Sequence, residues 1–131
     1  MKHPAYCYRI DSKISKKLFA EICKTLKREK LYRNPNFTAS ELSELLHINT
    51  RNIAAIVQLN TGSNFSKLLN TYRLADAEVM LRNKQEFSAE EIGLMSGFGS
   101  RQSFYRVFQE NYGTTPRKFR LSHLEQQAQH T

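Results

Sequence analysis

The chain has 131 residues, 40% of them hydrophobic, with a formal net charge of +8 and a pI near 9.7. That length suits one domain or two very small ones. The basic balance favours a polyanionic partner, nucleic acid before an anionic membrane. Two cysteines without metal-ligand spacing, no apolar leader after Met1-Lys2-His3-Pro4 and no run of about 18 apolar residues argue against a disulfide scaffold, a secretory signal and a membrane span; the expected setting is the reduced cytoplasm.

Helical periodicity runs through the chain, and strand alternation is nearly absent. Residues 1–11, with Pro4, Tyr6, Cys7 and Tyr8, read as irregular. A first helix is expected from about Ser12 to Lys30, with Ile14, Leu18, Ile22 and Leu26 inward and Phe19 and Cys23 beside them. Asn34-Pro35-Asn36 breaks the chain. Thr38, with Glu41 three residues on, has the form of a capping box for a short helix to Leu46 that turns Leu42, Leu45 and Leu46 inward. His47-Ile48-Asn49 is a tight turn, and Thr50 is expected to cap a third helix that buries Ile53, Ile56 and Val57 and stops at Gly62. A long helix then runs from Ser63 or Asn64 to about Arg82, roughly 30 Å at about 1.5 Å per residue.

The pattern then repeats. Ser88 and Glu91 form a second capping box, Ile92 and Met95 point inward, and Gly97-Phe98-Gly99 is the turn. Ser100 caps a helix from Arg101 to Asn111 that buries Phe104, Val107 and Phe108 and stops at Gly113. Thr115-Pro116 opens a last helix with Phe119, Leu121 and Leu124, and the polar tail after Glu125 should fray. Phe98, Phe108, Tyr112 and Phe119 are core by spacing. The fold class is therefore all-α: two helix-turn-helix subdomains, each a homeodomain-like three-helix unit, joined by a long linker helix, about seven helices in all. The expected division is an irregular segment 1–11, a first subdomain 12–62, the linker 63–82, a second subdomain 83–124 and a frayed tail 125–131.

The ordered run Ile92 to Arg120 is the most specific feature. It carries a Gly-Phe turn (Gly97-Phe98), a Ser-capped helix (Ser100), Arg-x-Phe within it (Arg106-Val107-Phe108), then Gly113-Thr114-Thr115-Pro116 and Phe119-Arg120. Upstream stand Thr61-Gly62, Phe65 and Tyr72-Arg73-Leu74-Ala75-Asp76-Ala77. Together, over about residues 13 to 121, these resemble the DNA-binding domain of AraC/XylS-family transcription regulators. The resemblance implies two recognition helices and a structural role for Arg73 between the two halves.

A recognition helix enters the major groove with its N-terminal residues at the base edges. In the second unit the outward positions are Arg101, Gln102, Tyr105, Arg106 and Gln109, opposite Phe104, Val107 and Phe108. Arg pairs bidentately with guanine and Gln with adenine, while Tyr105 can stack or meet a thymine methyl. The first unit offers Arg51, Asn52, Ala54, Ala55 and Gln58. Ala55 stands where the family often has a long or basic side chain, so weaker or shape-based readout is expected there, by base contact from Arg51, Asn52 and Ala55 or by backbone contact alone. Expected phosphate contacts are Thr38, Ser88, Ser100, Gln109, Thr114, Thr115, Arg117 and Lys118, from helix starts and nearby cations. Most of the net charge lies elsewhere: residues 1–37 hold ten Lys/Arg against three Asp/Glu. That stretch is either a solvated helix face or an electrostatic aid on the phosphate backbone.

No catalytic constellation, metal set or cofactor motif is present in the sequence, so an enzyme is not expected, and neither is a catalytic or metal-binding residue or any cofactor. The expected function is sequence-specific binding of double-stranded DNA and transcription regulation. Each monomer, or weak dimer, would set two recognition helices into adjacent major grooves of an asymmetric site of about 20 bp. RNA polymerase is the expected second partner, a bacterial nucleoid the setting, and no membrane is involved. The module would act as a stand-alone regulator or as the output domain of a larger sensor. Two rival readings stay open: a protein-interaction module that reuses the fold with little DNA specificity, and a membrane-surface role for the basic first helix.

Overall fold

The computed structural model describes residues 11–129. The expected irregular segment, Cys7 and His130 thus lie outside the described residues, Asp11 excepted. Among the described residues there are seven α-helices and one short 3-10 turn, with no strand. The helices are α1 (Ser12–Glu29), α2 (Ala39–Leu46), α3 (Thr50–Thr61), α4 (Phe65–Asn83), α5 (Ala89–Met95), α6 (Arg101–Tyr112) and α7 (Pro116–Gln129). They form two compact units. One takes the described residues up to Tyr32 and Asn36–Leu69, the other Arg33–Pro35 and the described residues from Asn70 on, so the boundary falls inside α4.

In the first unit Asp11 starts α1 by accepting from the N–H of Lys13 at 2.7 Å and of Ile14 at 3.3 Å. Lys30, at φ 50°, ends it in the left-handed region. Ile22 and Leu26 are fully buried, but Ile14 is exposed. Ser15 takes the inward place in that first turn, and its hydroxyl accepts from Asn60 Nδ2 of α3 at 2.9 Å. Thr38 caps α2 by accepting from the N–H of Glu41 at 3.3 Å. Leu42 is fully buried, whereas Leu45, expected inward, is 55% exposed. Two turns of helix bring only a narrow arc against α3. The cap of α3 is Asn49 rather than Thr50: its side-chain oxygen accepts from the N–H of Asn52 at 2.8 Å. Gly62, at φ 71°, ends α3 where L side chains are disfavoured.

The second unit is built on an aromatic core. Phe98, Phe104 and Phe108 are buried with Leu74, Ala77, Met80, Leu81, Ile92 and Val107, and Phe87, Tyr105, Tyr112 and Phe119 pack against them. The rings meet edge-on or tilted, Phe104 to Phe108 at 5.7 Å and Phe108 to Phe119 at 5.5 Å between centroids. The capping box of α5 is complete: Ser88 Oγ accepts from the N–H of Glu91, and Glu91 Oε1 accepts from the N–H of Ser88, both at 3.1 Å. Met95, expected inward, is 39% exposed. It is the last residue of α5, and Ser96 fills the inward place, donating to the carbonyl of Ile92 at 2.8 Å. α7 runs on to Gln129 rather than ending near Leu124, because Glu125 to Gln129 are good helix formers with no Gly or Pro to stop them. Leu121 and Leu124 are exposed on it.

Three arginines and a tyrosine bind this unit together. Arg120 donates to the carbonyls of Leu81, Lys84 and Phe87 at 3.1, 3.2 and 2.8 Å, satisfying the C-terminal end of α4 and the turn after it. Arg33 grips Asp76 with two bonds, Nε to Oδ2 at 2.6 Å and Nη2 to Oδ1 at 3.0 Å. Arg73 is buried and donates to the carbonyl of Asn34 at 3.1 Å and to Asn70 Oδ1 at 3.1 Å; burial draws its pKa down. Tyr112 donates to Glu78 Oε2 at 2.8 Å, and burial with that bond pushes its pKa up to about 12.

Candidate nucleic-acid interface

The geometry of α6 follows from its cap and its core face. Ser100 Oγ accepts from the N–H of Ser103 at 3.1 Å, which fixes the start of the helix. Phe104, Val107 and Phe108 then point into the aromatic core. The helical repeat leaves Arg101, Gln102, Arg106 and Gln109 exposed on one strip, with Tyr105 half-buried at its edge. Among the described residues Arg106 meets Glu110 alone, at 3.5 Å in an exposed i,i+4 pair worth about 0.3–0.5 kcal/mol and readily given up to another acceptor. Arg101 is more constrained. Its guanidinium lies 4.7 Å from the centroid of the Tyr105 ring, and its Nε is 3.5 Å from Glu90 Oε1.

Glu90, in the first turn of α5, was not among the expected site residues. Its Oε1 also accepts from Arg117 Nη2 at 2.7 Å and from the Tyr105 hydroxyl at 3.4 Å. Its Oε2 is buried and has no hydrogen-bond partner among the described residues. Burial pushes the Glu90 carboxyl up, but its own backbone N–H and the guanidinium groups of Arg117 and Arg101 outweigh that and hold it below the usual carboxylate range. Its partners stand 11, 15 and 27 residues away. Beside Ser88 and Glu91, an acidic residue reads simply as a helix start.

In the first unit the outward strip of α3 is Arg51, Ala54 and Gln58, with Asn52 half-buried. Ala55 is 2% exposed, so it faces the core rather than outward as its register suggested. α3 packs against both α1 and α2, so its buried arc is wide enough to take in Ala55 with Ile53, Ile56 and Val57. Counting back from the closing glycines, Gly62 and Gly113, aligns Ala55 with Arg106 and Arg51 with Gln102. Thr50 thus stands where α6 has Arg101.

The expected phosphate contacts sort by local charge. Thr115 Oγ1 accepts from the N–H of Lys118 at 3.2 Å, and α7 begins with exposed Arg117 and Lys118 next to half-buried Thr114. That start sets two cations at the positive end of the helix dipole. The starts at Thr38 and Ser88 carry Glu41, and Glu90 with Glu91, in their first turns. The capping hydroxyls of Thr38, Ser88, Ser100 and Thr115 are used as acceptors, which leaves each O–H able to donate. Among the described residues no group of His, Cys, Asp and Glu could hold a metal ion, and no helix is long and apolar enough to cross a membrane.

A family model described as a helix-turn-helix domain matches residues 42–122. An uncharacterized HTH-type transcriptional regulator of Staphylococcus aureus is 30% identical over 105 residues, 76% of this chain. The chain spans only 14% of that protein's length. Among solved structures, the C-terminal domain of the two-component response regulator yesN from Fusobacterium nucleatum is 26% identical, with a TM-score of 0.68 over 79% of this chain and 98% of that one. The DNA-binding domain of AdpA, a global transcriptional factor solved with a target DNA, shares the fold at a TM-score of 0.73 and 23% identity, over 84% of this chain and 96% of that one. The relative and both neighbours bear the names of regulators or of their domains. With more than half its length matched by the family model and two helix-turn-helix units in its fold, the chain belongs to the AraC-type helix-turn-helix family of transcription regulators.

Proposed function

We propose that this chain binds double-stranded DNA sequence-specifically and regulates transcription, with α6 as its principal reading helix. The observation that carries the reading is the exposed strip Arg101, Gln102, Arg106 and Gln109 on a helix whose opposite face is locked into an aromatic core. Arg101 and Arg106 suit guanine, and Gln102 suits adenine. Gln109, Thr114, Thr115, Arg117 and Lys118 serve the phosphate backbone, with Ser100 at the start of α6. Thr38 and Ser88 are weaker candidates, since carboxylates share their helix starts.

α3 enters an adjacent major groove and reads less, through Arg51 and Asn52, because Thr50 stands where α6 has Arg101 and the buried Ala55 where it has Arg106. The 19 residues of α4 span about 28 Å, close to the roughly 34 Å of one DNA turn. The site is then asymmetric and about 20 bp long, bound by a monomer or weak dimer. Transcription regulation brings RNA polymerase as the second partner and the bacterial nucleoid as the setting. The module serves alone or as the output part of a larger sensor.

Selection of bound duplexes from random sequence, followed by footprinting, tests this. Two protected segments one turn apart on one face are expected. A single short half-site contradicts the two-groove arrangement. Failure to enrich any sequence contradicts specific recognition and favours the protein-interaction reading.

A further inference from the structure

Glu90 is where a base-reading candidate and a phosphate-side candidate meet. Its Oε1 takes Arg117 Nη2 at 2.7 Å, Arg101 Nε at 3.5 Å and the Tyr105 hydroxyl at 3.4 Å. Tyr105 in turn lies under the Arg101 guanidinium, 4.7 Å away. Arg101 is therefore held on its Nε edge by a carboxylate and on its face by a ring. Among the described residues, no hydrogen bond engages its two terminal Nη groups. Those groups are available for the pairing an arginine fork makes with the O6 and N7 of a guanine.

We propose that Glu90 is a positioning residue for sequence readout, which orients Arg101 towards the base edge and makes binding more selective rather than tighter. The inference rests on the DNA-binding reading of α6. An exposed arginine has rotamer freedom to lose on binding, and the Glu90–Tyr105 clamp removes part of that loss beforehand. The carboxylate also opposes nearby phosphates, which lowers sequence-independent attraction and widens the gap between right and wrong sites. When Arg117 turns to a phosphate, Arg101 remains to compensate Glu90, whose buried Oε2 has no partner of its own. The clamp and the phosphate contact are thus linked through one carboxylate.

The test compares wild type, Glu90→Gln, Arg101→Met and the double variant. Each is bound at fixed salt to the duplex that wild type selects from random sequence and to a scrambled duplex of equal length. Circular dichroism sets a temperature at which all four are folded. Glu90→Gln is expected to bind the scrambled duplex a few-fold tighter and to lower the specificity ratio by roughly five-fold or more. In the Arg101→Met background the same change should alter the ratio by less than about two-fold. A purely structural role moves both duplexes together and leaves the ratio alone. An unchanged ratio in Glu90→Gln, or an equal fall in both backgrounds, overturns the inference while leaving DNA binding intact. A wild type with no preference between the duplexes overturns the DNA reading along with it.

Discussion

Gly93 of α5 lies directly against the ring of Phe104 in α6, so that a β-carbon on residue 93 would overlap the ring at its Cδ2, Cγ and Cε2 atoms. The ring cannot swing aside, because Phe98 and Phe108 flank it at 5.0 and 5.7 Å between centroids. Gly93→Ala should therefore destabilise the second unit by about 1–3 kcal/mol, despite the better helix propensity of alanine. Chemical denaturation measures it, and a neutral or stabilising result would show that the two helices can move apart freely.

Arg120→Ala removes the donor that satisfies three carbonyls at and after the end of α4. Part of that end is open to water, so a loss of about 1–3 kcal/mol is expected rather than three full bonds. Arg120→Lys should recover only a fraction, since one ammonium cannot reproduce the planar fork. Urea unfolding of the three proteins checks the order.

Tyr112 should ionise late. Its neutral form donates to Glu78, and the folded pKa of about 12 lies above the ordinary value of 10.0. A raised acid pKa means that the stability it contributes is full below about pH 10 and is lost as the pH rises towards 12. Phenolate absorbance followed to high pH should show one late step. Tyr112→Phe should abolish it, and an unchanged titration in that variant would contradict the assignment.

Lys118→Ala tests the phosphate side. Exposed at the start of α7 beside the Thr115 cap, Lys118 should contribute to every sequence alike. Affinity is expected to fall on selected and scrambled duplexes together, and the dependence of log affinity on log salt to lose about one unit of slope. A loss confined to the selected duplex would instead make Lys118 a base reader.

What the sequence shows of this fold is mostly what acts over three or four residues. Thr38, Ser88 and Ser100 cap the helices they were expected to cap, and Gly62 and Gly113 close theirs, because each bond reaches only a short way along the chain. The core aromatics Phe98, Phe104 and Phe108 follow from the helical repeat. Asn49 displaced Thr50 as a cap because both residue types cap well, and only the backbone decides between neighbours. Ala54 and Ala55 could not be told apart, since the width of the buried arc depends on how many helices cover α3. Leu45 and Met95 belong to helices too short to bury a full apolar stripe. Glu90 and Arg120 act on residues 11 to 39 positions away, and no local pattern marks them.

The strip on α6 is tested most directly by equilibrium binding of Arg101→Ala and Arg106→Ala to the duplex that wild type selects. Each should lose about 1–3 kcal/mol, roughly 5- to 150-fold in affinity, on that duplex and far less on a scrambled one. Unchanged affinity for the selected duplex in both variants would contradict sequence readout by this helix.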